Sequence, residues 1–314
     1  MRLAGWLNAA LWCTAASLTQ AAPFAYVTNE KSGTVSVIDT VSDTVVGEIK
    51  AGKKPRGAAF AGDGKTLFVS DQPNNDLMVL NVQERKVVGT IALGDSPEGV
   101  YASSDGTLLA VAVEEQNAVA FVDPASLSVK FSVKMQGKNP EHPVFRPDGK
   151  ILYASAEEGD AVDVIDIEKR QSVKLIKVGA RPRGIGFLPD GSKAYVACEN
   201  ADQVAVFDSR KHEIIKMLKA GVRANGVAIH PNGKFAYISN GGDGSVSVVD
   251  TARDEIVATI AVGKRPWNMA LTPDGNKLYV ANGRSNSVSV IDTRTKQKVN
   301  DVAVGELPWG VFIR

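Results

Sequence analysis

The chain has 314 residues and a near balance of charge, with 36 Lys and Arg against 35 Asp and Glu. It lacks the strong basic excess that nucleic-acid binding needs, so the composition disfavours nucleic acid as a partner. Of its two cysteines only Cys198 lies beyond the N-terminal segment, which leaves no pair for an intrachain disulfide after that segment is removed. Frequent glycine and Val-rich runs are typical of short strands joined by tight turns.

Residues 1–22, MRLAGWLNAALWCTAASLTQAA, differ from the rest of the chain. An arginine precedes an apolar run and then small residues, which predicts a secretory signal peptide cleaved after Ala21 or Ala22. An N-terminal membrane anchor is the alternative, but the apolar run is short and broken by polar residues. We therefore expect export, a single mature domain over 23–314, and no membrane span after cleavage.

Two markers recur through the rest of the chain with a period of about 42 residues. An Asx residue closes each Val-rich run, at Asp39, Asn81, Asp123, Asp166, Asp208, Asp250 and Asp292. An Asx-Gly pair recurs at 63–64, 105–106, 148–149, 190–191, 232–233 and 274–275. Periods of this length indicate a solenoid or a propeller. Because the seven Asx residues occur in every repeat, we interpret them as turn-forming residues and not as a catalytic set.

Each repeat carries four strand-like pieces, as in residues 266–304, with Asp-Gly at a hairpin turn. This pattern predicts an all-β, seven-bladed β-propeller of four-stranded antiparallel blades. The predicted blades are 308–314 with 24–51, then 55–93, 97–136, 140–178, 182–219, 224–262 and 266–304. The chain enters at a second strand and ends with a lone first strand. The C-terminal strand should therefore pair with the N-terminal blade and close the ring.

The repeat motifs resemble those of the YVTN-repeat bacterial β-propellers. The resemblance covers 24–314 and rests on AYVTN at 25–29, LYVAN at 278–282, the VSVIDT runs and the G-x-x-P-x-G connectors. Within that group the chain is most similar to the periplasmic propellers associated with catabolism dependent on pyrroloquinoline quinone (PQQ). The resemblance implies a periplasmic accessory role in alcohol oxidation, but it carries no catalytic motif.

Recognised catalytic motifs are absent from the sequence. The histidines show no metal-ligand spacing, and there is no C-x-x-C pair, G-x-S-x-G elbow or phosphate loop. The tryptophan repeats of catalytic quinoprotein propellers are also missing. We therefore assign no catalytic residue and no metal ligand.

Binding residues are predicted at the one connector position that varies from blade to blade. The second residue of each first strand should point toward the mouth of the central channel, and such loop positions carry function on a rigid scaffold. Around the ring these residues are Arg56, Glu98, Glu141, Arg183, Asn225, Trp267 and Trp309, with His142 in place of the next glycine in its blade. Trp267, Trp309 and Arg56 suit a planar or carboxylated ligand or a partner's hot spot. Alternatively, the two indoles plug the channel.

Three consecutive second-to-third strand loops are acidic. They contain Glu114 and Glu115, then Glu157, Glu158 and Asp160, then Glu199 and Asp202. Such a face could orient a charged partner, but a solvated surface is the simpler interpretation. Arginines in the connectors, Arg181, Arg183 and Arg265 among them, should compensate part of this charge.

We predict a non-catalytic periplasmic binding or scaffold protein, accessory to PQQ-dependent alcohol oxidation. It should bind no cofactor itself, and PQQ enters only through a partner enzyme. The predicted partners are a quinoprotein dehydrogenase or an ABC transport component. The alternative is a propeller hydrolase or lactonase at the channel mouth, for which Glu98, Glu141 and His142 are the nucleus. A surface or stress-related propeller unconnected to quinoproteins is a third possibility.

Overall fold

The computed structural model describes residues 23–314, so the predicted signal peptide lies outside the described residues. These residues form seven four-stranded antiparallel sheets arranged as the blades of a propeller. The strands, in blade order, are β1 Phe24–Asn29, β2 Thr34–Asp39 and β3 Thr44–Lys50; β4 Pro55–Phe60, β5 Thr66–Asp71, β6 Asp76–Asn81 and β7 Lys86–Ala92; β8 Pro97–Ala102, β9 Leu109–Val113, β10 Ala118–Asp123 and β11 Ser128–Lys134; β12 Pro140–Phe145, β13 Ile151–Ala156, β14 Ala161–Asp166 and β15 Gln171–Lys177; β16 Pro182–Phe187, β17 Lys193–Cys198, β18 Gln203–Asp208 and β19 Glu213–Lys219; β20 Ala224–Ile229, β21 Phe235–Asn240, β22 Ser245–Asp250 and β23 Glu255–Ala261; β24 Pro266–Leu271, β25 Lys277–Asn282, β26 Ser287–Asp292 and β27 Gln297–Ala303; and β28 Pro308–Ile313.

Short 3₁₀ helices follow the second strand in three blades. They are η1 Gln72–Asn74, η2 Glu114–Gln116 and η3 Glu199–Ala201. Within residues 23–314, no helix is long and apolar enough to cross a bilayer. The predicted fold class and blade boundaries are confirmed.

The ring closes where the last strand joins the first blade. β28 pairs antiparallel with β1, placing Val311 opposite Val27 and Phe312 opposite Tyr26. The Phe24 amide adds a hydrogen bond of 3.0 Å to the Arg314 carbonyl. The prediction that the C-terminal strand completes the N-terminal blade is therefore confirmed, and both strands lose an edge that would otherwise be open to aggregation.

The hydrophobic core is divided among the seven blade-to-blade interfaces of residues 23–314. Each interface holds its own cluster of buried Val, Leu, Ile, Ala and aromatic side chains. In the third strand of a blade, both alternating sets of side chains are buried, as in Thr34–Asp39 and Ser245–Asp250. This arises because each sheet packs against a neighbour on both faces. The outer strand of a blade, by contrast, is mostly exposed to solvent.

The repeated Asx residues hold the turns. The Asp39 carboxylate accepts backbone hydrogen bonds from Val41 and Ser42 at 2.8 and 3.0 Å, and Asp292 repeats the arrangement. In the inner hairpins, Asp63 accepts the Lys65 amide at 2.8 Å, while Gly64 takes a positive φ of 65°. The turn-forming interpretation of these residues agrees with this geometry.

The inner strands carry the feature that builds the mouth of the channel. Their pairing register shifts after the proline, for instance between Pro182 and Ile185, which forms a bulge. A bulge re-aims side chains and is common beside functional sites. A Cβ on Gly184 would meet the Asn225 carbonyl of the next blade at 2.6 Å, so glycine permits this close approach.

Candidate functional site

The connector residues and the second-to-third strand loops converge on one mouth of the channel. Glu98 and Glu141 are buried there, at 0% and 5% exposure. Arg56 and Arg183 are partly exposed beside them, with side-chain exposures of 21% and 14%. The structure therefore brings together four of the predicted site residues as a charged cluster that we call the mouth cluster.

One end of the mouth cluster is built around Glu98. Arg56 forms an ion pair with its Oε1 atom and a second one with Glu30 at 3.3 Å. Gln72 on η1 donates a hydrogen bond of 2.8 Å to the same oxygen of Glu98 and one of 2.9 Å to the Ser96 hydroxyl. These donors leave Oε2 of Glu98 buried without a hydrogen-bond partner among residues 23–314.

Arg183 is the hub of the other end. Its Nη1 atom lies 2.7 Å from Glu141 and 2.7 Å from Glu157, and its Nε atom donates to Glu199 at 3.0 Å. These carboxylates come from an inner strand and from two loops in adjacent blades. No hydrogen bond within residues 23–314 uses Nη2 of Arg183, which leaves that nitrogen for another oxygen.

Glu199 gathers further arginines from three consecutive connectors. Arg223 contacts its Oε1 atom at 2.9 Å, Arg265 pairs with the same oxygen, and Arg181 lies 3.4 Å from Oε2. These arginines occupy the same repeat position, each with positive φ. Glu199 is fully buried, so this loop is not the solvated acidic surface that the sequence favoured.

The pKa values of these carboxyl groups are spread widely by their surroundings. Burial and the neighbouring Glu141 raise the pKa of Glu98 to about 8. Burial also raises that of Glu157 to about 7, with Glu141 adding to the effect and Arg183 opposing it. Burial opposes ionisation of Glu199 too, but Arg183 and its other arginine partners lower its pKa to about 2. Closely spaced groups with divergent pKa values are typical of functional sites.

Glu114 lies within metal-binding range of the two carboxylates of the mouth cluster. Glu98, Glu114 and Glu141 each present an oxygen, and the three oxygens lie within 4.8 Å of one another. Glu114 is positioned by a hydrogen bond of 2.6 Å from the Ser96 hydroxyl.

His142 lies in the channel instead of facing solvent. Its imidazole stacks on the indole of Trp309, which lies in another blade, with ring centroids 5.7 Å apart and ring planes at 19° to each other. The Tyr101 hydroxyl lies 2.6 Å from Nδ1. Burial lowers the pKa of His142 to about 4, so the imidazole is neutral at pH 7. Trp309 is 7% exposed and packs on His142, which agrees with the alternative that its indole plugs the channel, while its ligand-binding role stays a prediction.

The remaining predicted site residues do not join the mouth cluster. The Trp267 ring covers Gly283, where an added Cβ would meet the indole at 2.6 Å. Trp267 does not stack on Trp309 in the described chain, and Asn225 is buried at 3% exposure. The role of Trp267, Trp309 and Arg56 in binding a planar or carboxylated ligand, or a partner, stays a prediction.

Several residues of the site were not predicted, or were predicted in another role. Gln72 and Ser96 were not predicted as site residues, and Glu157 and Glu199 were predicted to be acidic residues of a solvated surface. One signal was available, because Arg181, Arg223 and Arg265 recur at a spacing of 42 residues in three consecutive connectors. Three arginines at one repeat position indicate a shared buried acid.

A separate cavity of about 1360 Å³ opens on the opposite face at the ring seam. Tyr26, Val37, Arg85, Lys277 and Arg314 are among its lining residues. Phe24 and Arg314 are hydrogen-bonded to each other in this blade, where the other six blades have an Asx-Gly hairpin. It contains none of the paired carboxylates, so we place the chemistry at the mouth cluster.

Comparison with known proteins shows what this chain is similar to. Residues 173–304 match the family described as "Lactonase, 7-bladed beta-propeller". No curated protein sequence gave a significant match.

Solved structures share the fold. A chain of Kuenenia stuttgartiensis hydrazine synthase is 23% identical, with 91% of this chain and 99% of that chain covered and a TM-score of 0.78. A protein of unknown function from Desulfotomaculum acetoxidans is 16% identical, with 92% and 98% covered and a TM-score of 0.80. A putative 6-phosphogluconolactonase from Bacteroides uniformis is 18% identical, with 93% and 100% covered and a TM-score of 0.78.

The prediction of a non-catalytic scaffold accessory to PQQ-dependent alcohol oxidation is wrong. The family matched by residues 173–304 is a family of lactonases, which favours the alternative of a propeller hydrolase. The error has a physical cause. The YVTN and VSVIDT motifs encode strands and turns common to many propellers, so they carry no information about chemistry at the mouth.

Proposed function

We propose that the protein is a hydrolase that opens a lactone ring at the mouth cluster. The observation that carries the proposal is the lactonase match over 173–304, because this segment supplies Arg183, Glu199, Arg223 and Arg265. These residues form the guanidinium side of the cluster. The match thus supports lactone hydrolysis, and the matched segment contains several of the charged residues that converge at the channel mouth.

Glu157 is the proposed general base. Its side chain is 10% exposed, and its pKa of about 7 lies near neutral pH, where proton transfer is most efficient. Arg183 lies 2.7 Å away and can stabilise negative charge on a substrate oxygen. His142 does not fit the acid-base role considered from the sequence, because it is buried against Tyr101 and a pKa lowered to about 4 makes its imidazole a weak base.

The reaction follows from these two groups. Glu157 removes a proton from water, and the water oxygen forms a bond to the lactone carbonyl carbon. The carbonyl electron pair moves onto its oxygen, where the Arg183 guanidinium stabilises the charge. When the carbonyl re-forms, the ring C–O bond breaks and the leaving oxygen takes the proton from Glu157. Lactone and water thus become one hydroxy acid.

The test is a lactone hydrolysis assay followed by proton release. Glucono-δ-lactone, 6-phosphoglucono-δ-lactone and γ-butyrolactone serve as probes, each compared with its spontaneous hydrolysis. Replacing Glu157→Gln should lower kcat by about 100-fold or more, the usual contribution of general acid–base catalysis. Glu158→Gln is the matched control, since Glu158 is an exposed neighbour in the same loop, and it should keep full activity.

Two results would overturn the proposal. One is the absence of turnover of any lactone probe by the wild-type protein. The other is unchanged turnover in the Glu157→Gln variant, which would remove this residue from the reaction.

The finer resemblance to YVTN-repeat propellers and the periplasmic location stay predictions, and they are compatible with a secreted hydrolase. The predicted dehydrogenase and transporter partners, and the expectation that no cofactor is bound, also stay predictions. Cell fractionation with an antibody to the protein would test the location directly.

A further inference from the structure

Three carboxylates converge beside Glu98 at the mouth of the channel. Glu98, Glu114 and Glu141 present oxygens within 4.8 Å of one another, from two inner strands and the 3₁₀ helix η2. Like charges at this distance repel strongly in a buried setting. Arg56 pairs with Glu98 and Arg183 pairs with Glu141, which leaves Glu114 without a basic partner within residues 23–314.

An oxygen of Glu98 gives the second, independent observation. Glu98 has no exposed surface, and its Oε2 atom has no hydrogen-bond partner among residues 23–314. Arg56 and Gln72 both bind Oε1 and leave this atom unpaired. A buried carboxylate oxygen without a donor is costly and calls for a ligand such as a cation.

We propose that Glu98, Glu114 and Glu141 bind a divalent cation, with calcium as the preferred ion. All the ligand atoms are carboxylate oxygens, which suit hard cations and not zinc. Calcium is held by sites built largely from protein oxygens, whereas magnesium retains several water molecules and is usually bound through one or two carboxylates. Three convergent protein carboxylates therefore suit calcium.

Surrounding residues hold these ligands in place. Ser96 donates to Glu114 at 2.6 Å, and Gln72 connects Ser96 to Glu98. Arg183 binds Oε1 of Glu141 at 2.7 Å. Such supporting contacts orient ligands in metal sites. The inference does not depend on lactone hydrolysis, because cation binding is measured without any substrate.

The test is calorimetric titration of the chelator-treated, full-length protein with calcium chloride alone. Wild-type protein should bind one calcium ion, and magnesium at least tenfold more weakly. Glu114→Gln should weaken calcium binding at least tenfold. Glu115→Gln, an exposed neighbour on η2, should bind as the wild type does.

Glu98→Gln should abolish binding, and Glu114→Gln decides the question if the buried substitution prevents folding. The proposal is overturned if the wild type binds no calcium at millimolar concentration, or if Glu114→Gln retains wild-type affinity. Magnesium binding as tight as calcium binding would overturn the preference for calcium. Lactone turnover without calcium binding would refute this inference alone, and calcium binding without turnover would refute the proposed function alone.

Discussion

The hydroxyl of Tyr279 donates a hydrogen bond to the carboxylate of Asp43, which lies 236 residues away in the chain. Lys277 pairs with the same carboxylate at 2.8 Å. Blades five and six repeat the contact, where Tyr195 bonds Asp254 at 2.6 Å. The contact between Tyr279 and Asp43 therefore latches the seventh blade to the first across the non-covalent seam.

Removing the Tyr279 hydroxyl should weaken the seam. Tyr279→Phe removes a buried hydrogen bond to a charged group, and the free energy of unfolding should fall by about 1.5–3 kcal/mol. Tyr237→Phe is the matched control, because that hydroxyl is buried without a hydrogen-bond partner in residues 23–314. The neighbouring Thr293 hydroxyl donates instead to the Gly275 carbonyl. Chemical denaturation should show a loss only for Tyr279→Phe, and equal effects of the two changes would contradict the latch.

Packing at the seam should matter as much as hydrogen bonding. Val311 on β28 is 3% exposed and belongs to the core between the seventh and first blades. Val311→Ala should lower the free energy of unfolding by about 2 kcal/mol, from lost burial and the cavity left behind. Val299→Ala, at 57% exposure on an outer strand, should change it by less than about 0.5 kcal/mol. Thermal unfolding of both variants checks this, and a seam that tolerates Val311→Ala would not be held by packing.

The sequence predicted the fold well because the fold repeats. Asp39 and its six counterparts mark the same turn in every blade, so local chemistry sampled seven times identifies the period and the ring closure. The connector position also correctly brought Glu98, Glu141 and Arg183 to one mouth. What could not be predicted were contacts between blades. The contact of Glu157 in the fourth blade with Arg183 in the fifth depends on the angle between neighbouring sheets, which no local pattern records.

The contact between His142 and Trp309 could not be predicted from the sequence either. His142 and Trp309 are separated by more than half the chain, and only the closed propeller brings their aromatic rings together. A histidine in a connector therefore appeared to be a loop residue or an acid-base group. In the structure His142 is instead buried and stacked on Trp309, and this burial has a measurable effect on stability.

His142 should make stability fall in mild acid. The unfolded imidazole binds a proton near pH 6.5, whereas the folded one does so only near pH 4. The unfolded state therefore binds more protons between these values, and the free energy of unfolding falls as the pH falls from 6.5 to 4. His142→Phe keeps an aromatic ring against Trp309 and should remove this part of the pH dependence. Urea unfolding at pH 7, 5.5 and 4.5 measures it, and an unchanged slope in the variant would exclude His142 as the source.

Glu199 should control stability in a lower pH range. Its pKa is near 4.5 when unfolded and about 2 when folded, so its contribution is complete above pH 4.5 and is lost as the pH falls toward 2. Glu199→Gln at pH 7 leaves the surrounding arginines without their buried partner, and the free energy of unfolding should fall by about 3–5 kcal/mol. Glu306→Gln breaks the exposed pair with Lys31 and should leave the free energy of unfolding nearly unchanged, because solvent screens this pair. Guanidinium unfolding at pH 7 and pH 3.5 compares the variants. The loss caused by Glu199→Gln should be smaller at pH 3.5, where wild-type Glu199 has already lost part of its advantage, and an equal loss at both values would show that packing and not charge stabilises this site.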